Sequence, residues 1–424
     1  AASKASALGL MMRSAAVRRR SERFECGPGL AMSWVADGRP RAAPPAWRAS
    51  ADLFKTASFA EGPTAGHGRA FRGARVELAS ASASLRDEGF APALAQAAGS
   101  SPFLRAALAP FLPKWRGGRT ATGLSVGVLK SMLQKSVRRR MGPAAVFLSV
   151  ELMLRSRTDF FRRMPIIVVE DSILHPEFDF LVWLMLATWK GFVPPAPVLR
   201  KTLGIVLQVA CASKQDVIGF GRPGLSTETG PRLQAALQLH DKPASLIRSL
   251  LCRAEFGGMG GDMRMLIHHA DVWISRFGGA GATEPERGSK WISALEEMHG
   301  RDCAAATAAP VTVVAVPFQG VDFHCSPWVL EKVDLAGAGE DQLRSAMWLF
   351  HSSTNLRVWL GKDDFASLRT TAEIEENEAS LRSSLQSELR KKQVLEPLWK
   401  RVSDGIEAAC TSFLEQRCPG VQVV

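Results

Sequence analysis

Residues 124–140 read LSVGVLKSMLQKSVRRR, residues 143–155 read PAAVFLSVELMLR, and residues 159–172 read DFFRRMPIIVVEDS. In each, Leu, Val, Ile, Met or Phe recurs at i, i+3 and i+4, the spacing that lines one face of a 3.6-residue turn. Pro143 opens the second segment and Thr158-Asp159 the third, both helix-start signals. The same pattern predicts helices at 102–112 on one side and at 178–190, 198–213, 232–239, 243–256 and 262–277 on the other. The fold class is therefore mainly α: an irregular multi-helix array with at most a few short strands.

Further out the text changes. GGAGATEPERG at 278–288 opens a loop-rich connection expected over 278–310. VTVVAV at 311–316, ended by Pro317, is the one convincing strand. Helix resumes over 340–350 and along a charged stretch at 363–417, where Ile374, Leu381, Leu385 and Leu389 share a face and Pro397 is expected to break the run. Upstream, residues 1–21 carry no acidic residue and are rich in Ala, Ser and Arg, the composition of a mitochondrial or plastid transit peptide or of a disordered basic tail. Residues 36–75 read as a Pro/Gly/Ala-rich linker. The resulting division is a disordered basic N-terminal segment and linker (1–75), a helical domain (76–277), the connection (278–310) and a C-terminal helical region with one short strand (311–424).

The chain has 424 residues, 46% hydrophobic and 22% charged, enough to build a sizeable core and too apolar for wholesale disorder. No apolar run approaches the ~18 residues of a membrane span; 178–189, with Asp179 inside it, reads as a buried helix. Seven scattered cysteines without a C-x-x-C pair argue against a zinc framework or a disulfide scaffold and suit a reducing, intracellular setting, in an organelle or otherwise in nucleus or cytoplasm. Cys410 and Cys418 are expected to be buried thiols. There is no tyrosine, against eleven tryptophans.

The net charge of +12 is localised. Residues 1–50 hold nine Lys/Arg against three Asp/Glu, and residues 121–165 hold nine against two. In the second block Lys130, Lys135, Arg138, Arg139 and Arg140 fall within eleven residues, and Arg162 and Arg163 follow on the next arm of a helical hairpin. Guanidinium groups massed this way suit a DNA or RNA phosphate backbone, read without sequence preference. The same arginines equally suit a solvated face, or pairing with Glu170, Asp171 and the acidic C-terminal helix.

KSMLQKSVRRR, then ELMLRSR, then FFRRMPIIVVEDSILHP also resembles the C-terminal helical collar of clamp-loader-related replication–recombination ATPases, over residues 126–185. Lys135, Ser136, Arg138, Arg162, Arg163, Glu170 and Asp171 are the matching positions. The resemblance implies a helical oligomerisation or DNA-associated collar. This chain lacks the ATPase module that precedes the collar in those proteins, and Pro165 departs from the pattern, placing a kink before IIVVED.

Two smaller constellations compete. The turn at 257–262 carries two Gly-Gly pairs, suited either to an anion-binding nest or simply to a tight turn with Asp262 capping the next helix. VDFHC at 321–325 places Asp322 and His324 on one side of an extended segment, an acid–base or metal-binding spacing, or a pair bonded to local backbone. His268 and His269 are adjacent on a helix and cannot chelate one metal together. No phosphate-loop, dinucleotide, zincin or serine-hydrolase motif is present, and nothing calls for a cofactor. The expectation is a non-enzymatic nucleic-acid-associated or scaffold protein, with self-association a second partnership; the alternative is an enzyme built from the Gly-rich turn and VDFHC.

Overall fold

The computed structural model describes residues 21–25, 31–35, 75–78, 87–189, 191–216, 218, 242–278, 285–311, 314–317, 320, 326–333, 337–418 and 421–423. Within them the protein is mainly α. Fourteen α-helices are joined by a few short strands. In chain order they are α1 Phe90–Ala98, α2 Pro102–Leu108, α3 Leu112–Arg116, α4 Val126–Arg138, α5 Gly142–Arg155, α6 Arg157–Asp171 and α7 Phe178–Trp189. Then follow α8 Ala196–Cys211, α9 Lys242–Phe256, α10 Gly260–Arg276, α11 Pro285–Ala308, α12 Ser326–Lys332, α13 Glu340–Met347 and α14 Thr371–Arg417.

α5 and α7 are the axis of the core. α7 is apolar on every face, and every residue from Phe178 to Thr188 is buried, as an all-round apolar helix requires. α5 packs between α4 and α8, α6 lies on α7, and α9 pairs with both α7 and α10. Trp115, Phe111 and Phe147 close one end of this array with tilted ring contacts. Below them Glu151, fully buried, accepts bonds from Trp115 Nε1, the Ala121 and Thr122 amides and the Thr122 hydroxyl, all at 2.7–2.9 Å. Four donors on one carboxylate satisfy it without a cation. α5 approaches α8 so closely that a Cβ on Gly142 would stand 2.7 Å from Leu207 Cδ1 and 3.1 Å from Cys211 Sγ.

One continuous core runs from Phe90 to Cys418, so the divisions expected at 76–277 and 311–424 share a single interior. The strands act as fasteners. β1 (Ser21–Glu25), β2 (Ala31–Val35) and β3 (Arg75–Leu78) form an antiparallel sheet in that order. β4 (Lys214–Gln215) pairs in parallel with β6 (Val358–Trp359), and β5 (Ala315–Val316) with β7 (Gln422–Val423), so that each two-residue pair ties distant chain to the body.

The structure corrects several expectations. The helix expected at 102–112 ends at Leu108, and after a turn a second helix starts at Leu112. Helix α6 starts at Arg157, one residue before Thr158, and is capped by Ser156, whose hydroxyl accepts from the Asp159 amide at 3.3 Å. Among the described residues of the expected 311–316 strand, Ala315–Val316 is strand. Most of the stretch read as loop-rich is α11, 24 residues long, whose Trp291, Ile292, Leu295 and His299 are buried at i, i+1, i+4 and i+8; Gly288 and Gly300 dilute that signal in the sequence. Pro165 and Pro397 lie inside continuous helices. At Pro397 the packing of Leu398, Val402, Ile406 and Phe413 just downstream outweighs one missing hydrogen bond. The 232–239 segment, VDFHC with Asp322 and His324, and the basic tail at 1–20 lie outside the described residues.

Candidate functional site

The basic hairpin is built by α4 and α6, which bring Arg138 beside Glu170 and Asp171. Arg138 is buried, and its guanidinium is shared among three acceptors. Nε donates to Asp171 Oδ1, Nη2 to Glu170 Oε1 at 2.9 Å, and Nη1 to the Ser352 carbonyl at 2.7 Å. Arg163 extends the cluster: it donates to Gln134 Oε1 and lies 3.7 Å from Glu170 and 3.8 Å from Asp262. Burial, with the Asp171 charge next to it, raises the Glu170 pKa above the ordinary carboxylate range.

The neighbouring cations are committed too. Lys135 is buried, donates to Ser131 Oγ at 3.0 Å, and sits 5.6 Å from the Trp348 ring centre. Lys130 pairs with Asp159 at 3.2 Å. Arg139 donates to the His351 carbonyl, and Arg162 lies over the Phe256 ring. Arg140, held at φ +58, donates to the Cys211 carbonyl through Nε and Nη2. A non-glycine residue at positive φ is uncommon, and here the left-handed turn that ends α4 aims the side chain at the end of α8. Arg357, which the sequence reading did not single out, reaches the same place: it donates to the carbonyls of Val137, Val209 and Ala210. Burial lowers its pKa to about 10. Two guanidinium groups thus sit on carbonyls in the last turns of α4 and α8, where the helix dipole favours a cation.

Of the seven side chains expected to meet phosphates, Lys135 and Arg138 are buried, Lys130, Arg139, Arg162 and Arg163 half-buried and Arg140 exposed, and each has a partner within the protein, forming a clasp. Five of them, Lys135, Arg138, Arg139, Arg140 and Arg163, are drawn onto protein acceptors of α4, α6, α8 and the 351–352 turn, while Lys130 is ion-paired and Arg162 stacked. The physical reason is that α6 ends in Glu170-Asp171 directly opposite the last turn of α4. The pairing alternative left open by the sequence is the arrangement found for these two acids.

The Gly-rich turn is also filled. Gly257 and Gly258 have φ +94 and +151, so the glycines serve a left-handed turn between α9 and α10. Arg253 occupies its inner side, donating to the Gly257 carbonyl at 2.8 Å and to the Arg162 carbonyl. Helix α10 begins at Gly260 with Met259 as its cap residue, so Asp262 sits in the first turn and faces Arg163. His269 is buried, its pKa pushed down to about 3 by desolvation. No group of three His, Cys, Asp or Glu among the described residues has metal-holding geometry. Cys410 and Cys418 are buried thiols.

A different feature stands open. α14 runs 47 residues without interruption, yet its buried residues all lie at or beyond Leu398. Its first turn is held by Glu373, which accepts from Arg276 Nε at 2.7 Å. Arg276 is fully buried, bonded in bidentate fashion to Asp216, and flanked by the Trp273 and Trp291 rings. Between these anchors, residues 382–391 are exposed on every side. Leu385 is 45% and Leu389 57% exposed, with Leu381 half-buried beside them. The sequence placed these leucines on one face; that nothing in the described body covers that face became visible only in three dimensions. No helix is long and apolar enough to cross a membrane among the described residues. Set beside known proteins, this clasp and rod stand by themselves: no family model, no curated protein and no solved structure matches the chain.

Proposed function

We propose that the protein is a non-enzymatic assembly module, a helical body that holds out an amphipathic rod for a helical partner. The observation that carries this is the bare stretch of α14 with Leu385 and Leu389 open. Ten helical residues exposed on every side among the described residues are marginal by propensity alone. Burying the two leucines, each about half exposed, against a partner is worth roughly 1 kcal/mol each. The likeness of α4–α7 to a helical collar without its motor supports the same reading. The test is a photo-crosslinking residue at Gln386 in the full chain in cells. Adducts heavier than the monomer are expected, lost when Leu385→Glu and Leu389→Glu are combined. A chain that stays uncrosslinked would remove the module reading.

A second reading rests on its own observation. From Gly89 to Val150 the chain has nine Lys/Arg and no Asp or Glu. Of these Arg105, Lys114, Arg116 and Arg119, on and after α2 and α3, are exposed. This small basic face, rather than the hairpin, is where a nucleic-acid backbone would be met. Four phosphate contacts give a log–log salt slope of roughly −3 to −4 in duplex binding. Anisotropy titrations should show that slope, flattened by replacing Lys114 and Arg116 with Ala and unchanged by Arg140→Ala; no binding at low salt would remove it.

A further inference from the structure

We infer that the partner of the α14 rod is a second copy of the same rod, packed antiparallel about a two-fold axis at Leu385. This rests on the module reading and names its partner. The argument begins with charge. Between residues 375 and 378 the rod carries Glu375, Glu376 and Glu378, and between 390 and 392 it carries Arg390, Lys391 and Lys392, with no cation in the first block and no acid in the second. Two copies side by side in the same direction set like charge on like. Two copies in opposite directions set each acidic block within a turn of the other's basic block. At a separation well inside the Debye length of about 8 Å, that difference selects the antiparallel pair.

The apolar side chains choose the same register. With Leu385 opposite its own copy, Leu381 lies opposite Leu389 of the second copy, and by symmetry Leu389 opposite Leu381. The next layer outward places Glu378 against Lys392. On a helix of 100° per residue, Leu381, Leu385, Leu389, Glu378 and Lys392 all fall within 40° of the Leu385 direction, so one stripe contains the leucine layers and the ion-pair layers. Their 4-4-3 spacing from Leu381 to Lys392 repeats every 11 residues, 3.67 per turn, which keeps the stripe nearly straight along the rod. Such an interface is isologous and closes on itself, giving a dimer rather than a filament. Lys392 already touches Glu388 of its own helix at 2.7 Å; that exposed pair is weak and does not hold it back. The contact is short, at the small end of specific interfaces, so the dimer is expected to be concentration-dependent.

The test is sedimentation equilibrium on the full chain, wild type against Glu378→Lys, Lys392→Glu and the two combined. Each single change places like charges opposite each other twice per dimer and should weaken association roughly tenfold or more. The combined swap restores opposite charge in both layers and should return the affinity to near the wild-type value. Glu378 is exposed and Lys392 partly so, so circular dichroism should show the same fold in each variant. Parallel pairing would leave each single variant unchanged, because Glu378 and Lys392 would then face their own kind throughout; that result overturns the register. A wild type that is monomeric at every concentration overturns self-pairing. If Gln386 crosslinks in cells to a different protein in that case, the module reading survives with another partner, and if it crosslinks to nothing, both fall.

Discussion

Arg138→Ala is expected to remove about 3–5 kcal/mol of stability, the usual consequence of deleting one partner of a buried ion pair. Asp171 would be left buried without its cation, Glu170 would lose its nearest one, and the Ser352 carbonyl would lose its donor. Urea unfolding at neutral pH checks this, and a loss under 1 kcal/mol would mean the clasp carries little. Replacing Arg138 and Asp171 together with Met and Leu should recover most of the loss, since apolar substitutes of similar volume often match a buried ion pair. Arg140→Ala gives the contrast. Its guanidinium is more exposed and meets only the Cys211 carbonyl, so a cost nearer 1 kcal/mol is expected.

Acidification should destabilise the fold well before ordinary carboxylates titrate. His299 has its pKa pushed down to about 4, and His269 and His351 to about 3, each chiefly by burial. His175 is driven well below its ordinary value by burial and by His299, whose ring centre is 4.5 Å away. The His175 ring is also fixed in one neutral form: Nδ1 accepts from the Glu177 amide at 3.0 Å, which leaves Nε2 to donate to Gln208 Oε1 at 3.2 Å. A folded-state pKa below the unfolded value of about 6.5 means that the unfolded chain binds the proton first. Stability from these groups is therefore complete above pH ~6.5 and is lost as pH falls toward the folded values. Each histidine contributes up to about 1.4 kcal/mol per pH unit, so His299 alone accounts for roughly 3 kcal/mol by pH 4. Glu170 and Asp179, whose pKa values are raised by burial, act in the opposite sense and reduce the net slope at the acid end. Unfolding free energy measured from pH 7.5 to 4.5 should fall steeply, and His299→Phe should flatten the curve by about one proton. A flat profile between pH 6.5 and 5 would contradict the assignment.

The helices were legible where a single face is apolar over three turns, as in α4, α5, α6 and α8. They were not legible where glycine and small residues thin the face, as in α11, or where proline suggested a stop that packing overrides, as at Pro397. The clasp was half legible. The text shows Arg138 and Glu170-Asp171 in one hairpin, and local spacing brings them together. It does not show Arg357, or the 351–352 carbonyls, because those arrive from more than two hundred residues away along the chain. Asp216 with Arg276 is the same case: two charges 60 residues apart, each unremarkable alone, buried only because the end of α10 meets the chain just after β4. Exposure was the other unreadable quantity. Ile374, Leu381, Leu385 and Leu389 look like any core stripe in the sequence, and only the exposure of Leu385 and Leu389 among the described residues distinguishes it.

The attachment of α14 at both of its ends makes it a ruler. From Glu373 to Leu398 a straight helix measures about 38 Å at 1.5 Å per residue, and it can neither stretch nor shorten without breaking its own ladder. One tip is locked to Arg276 of α10, the other to the neighbourhood of α12 and α13. Those two regions therefore keep a set distance, and motion that parts them must first melt a turn of the rod. The bar also fixes the direction in which its leucines point, so whatever docks there meets a surface whose azimuth was settled when the chain folded.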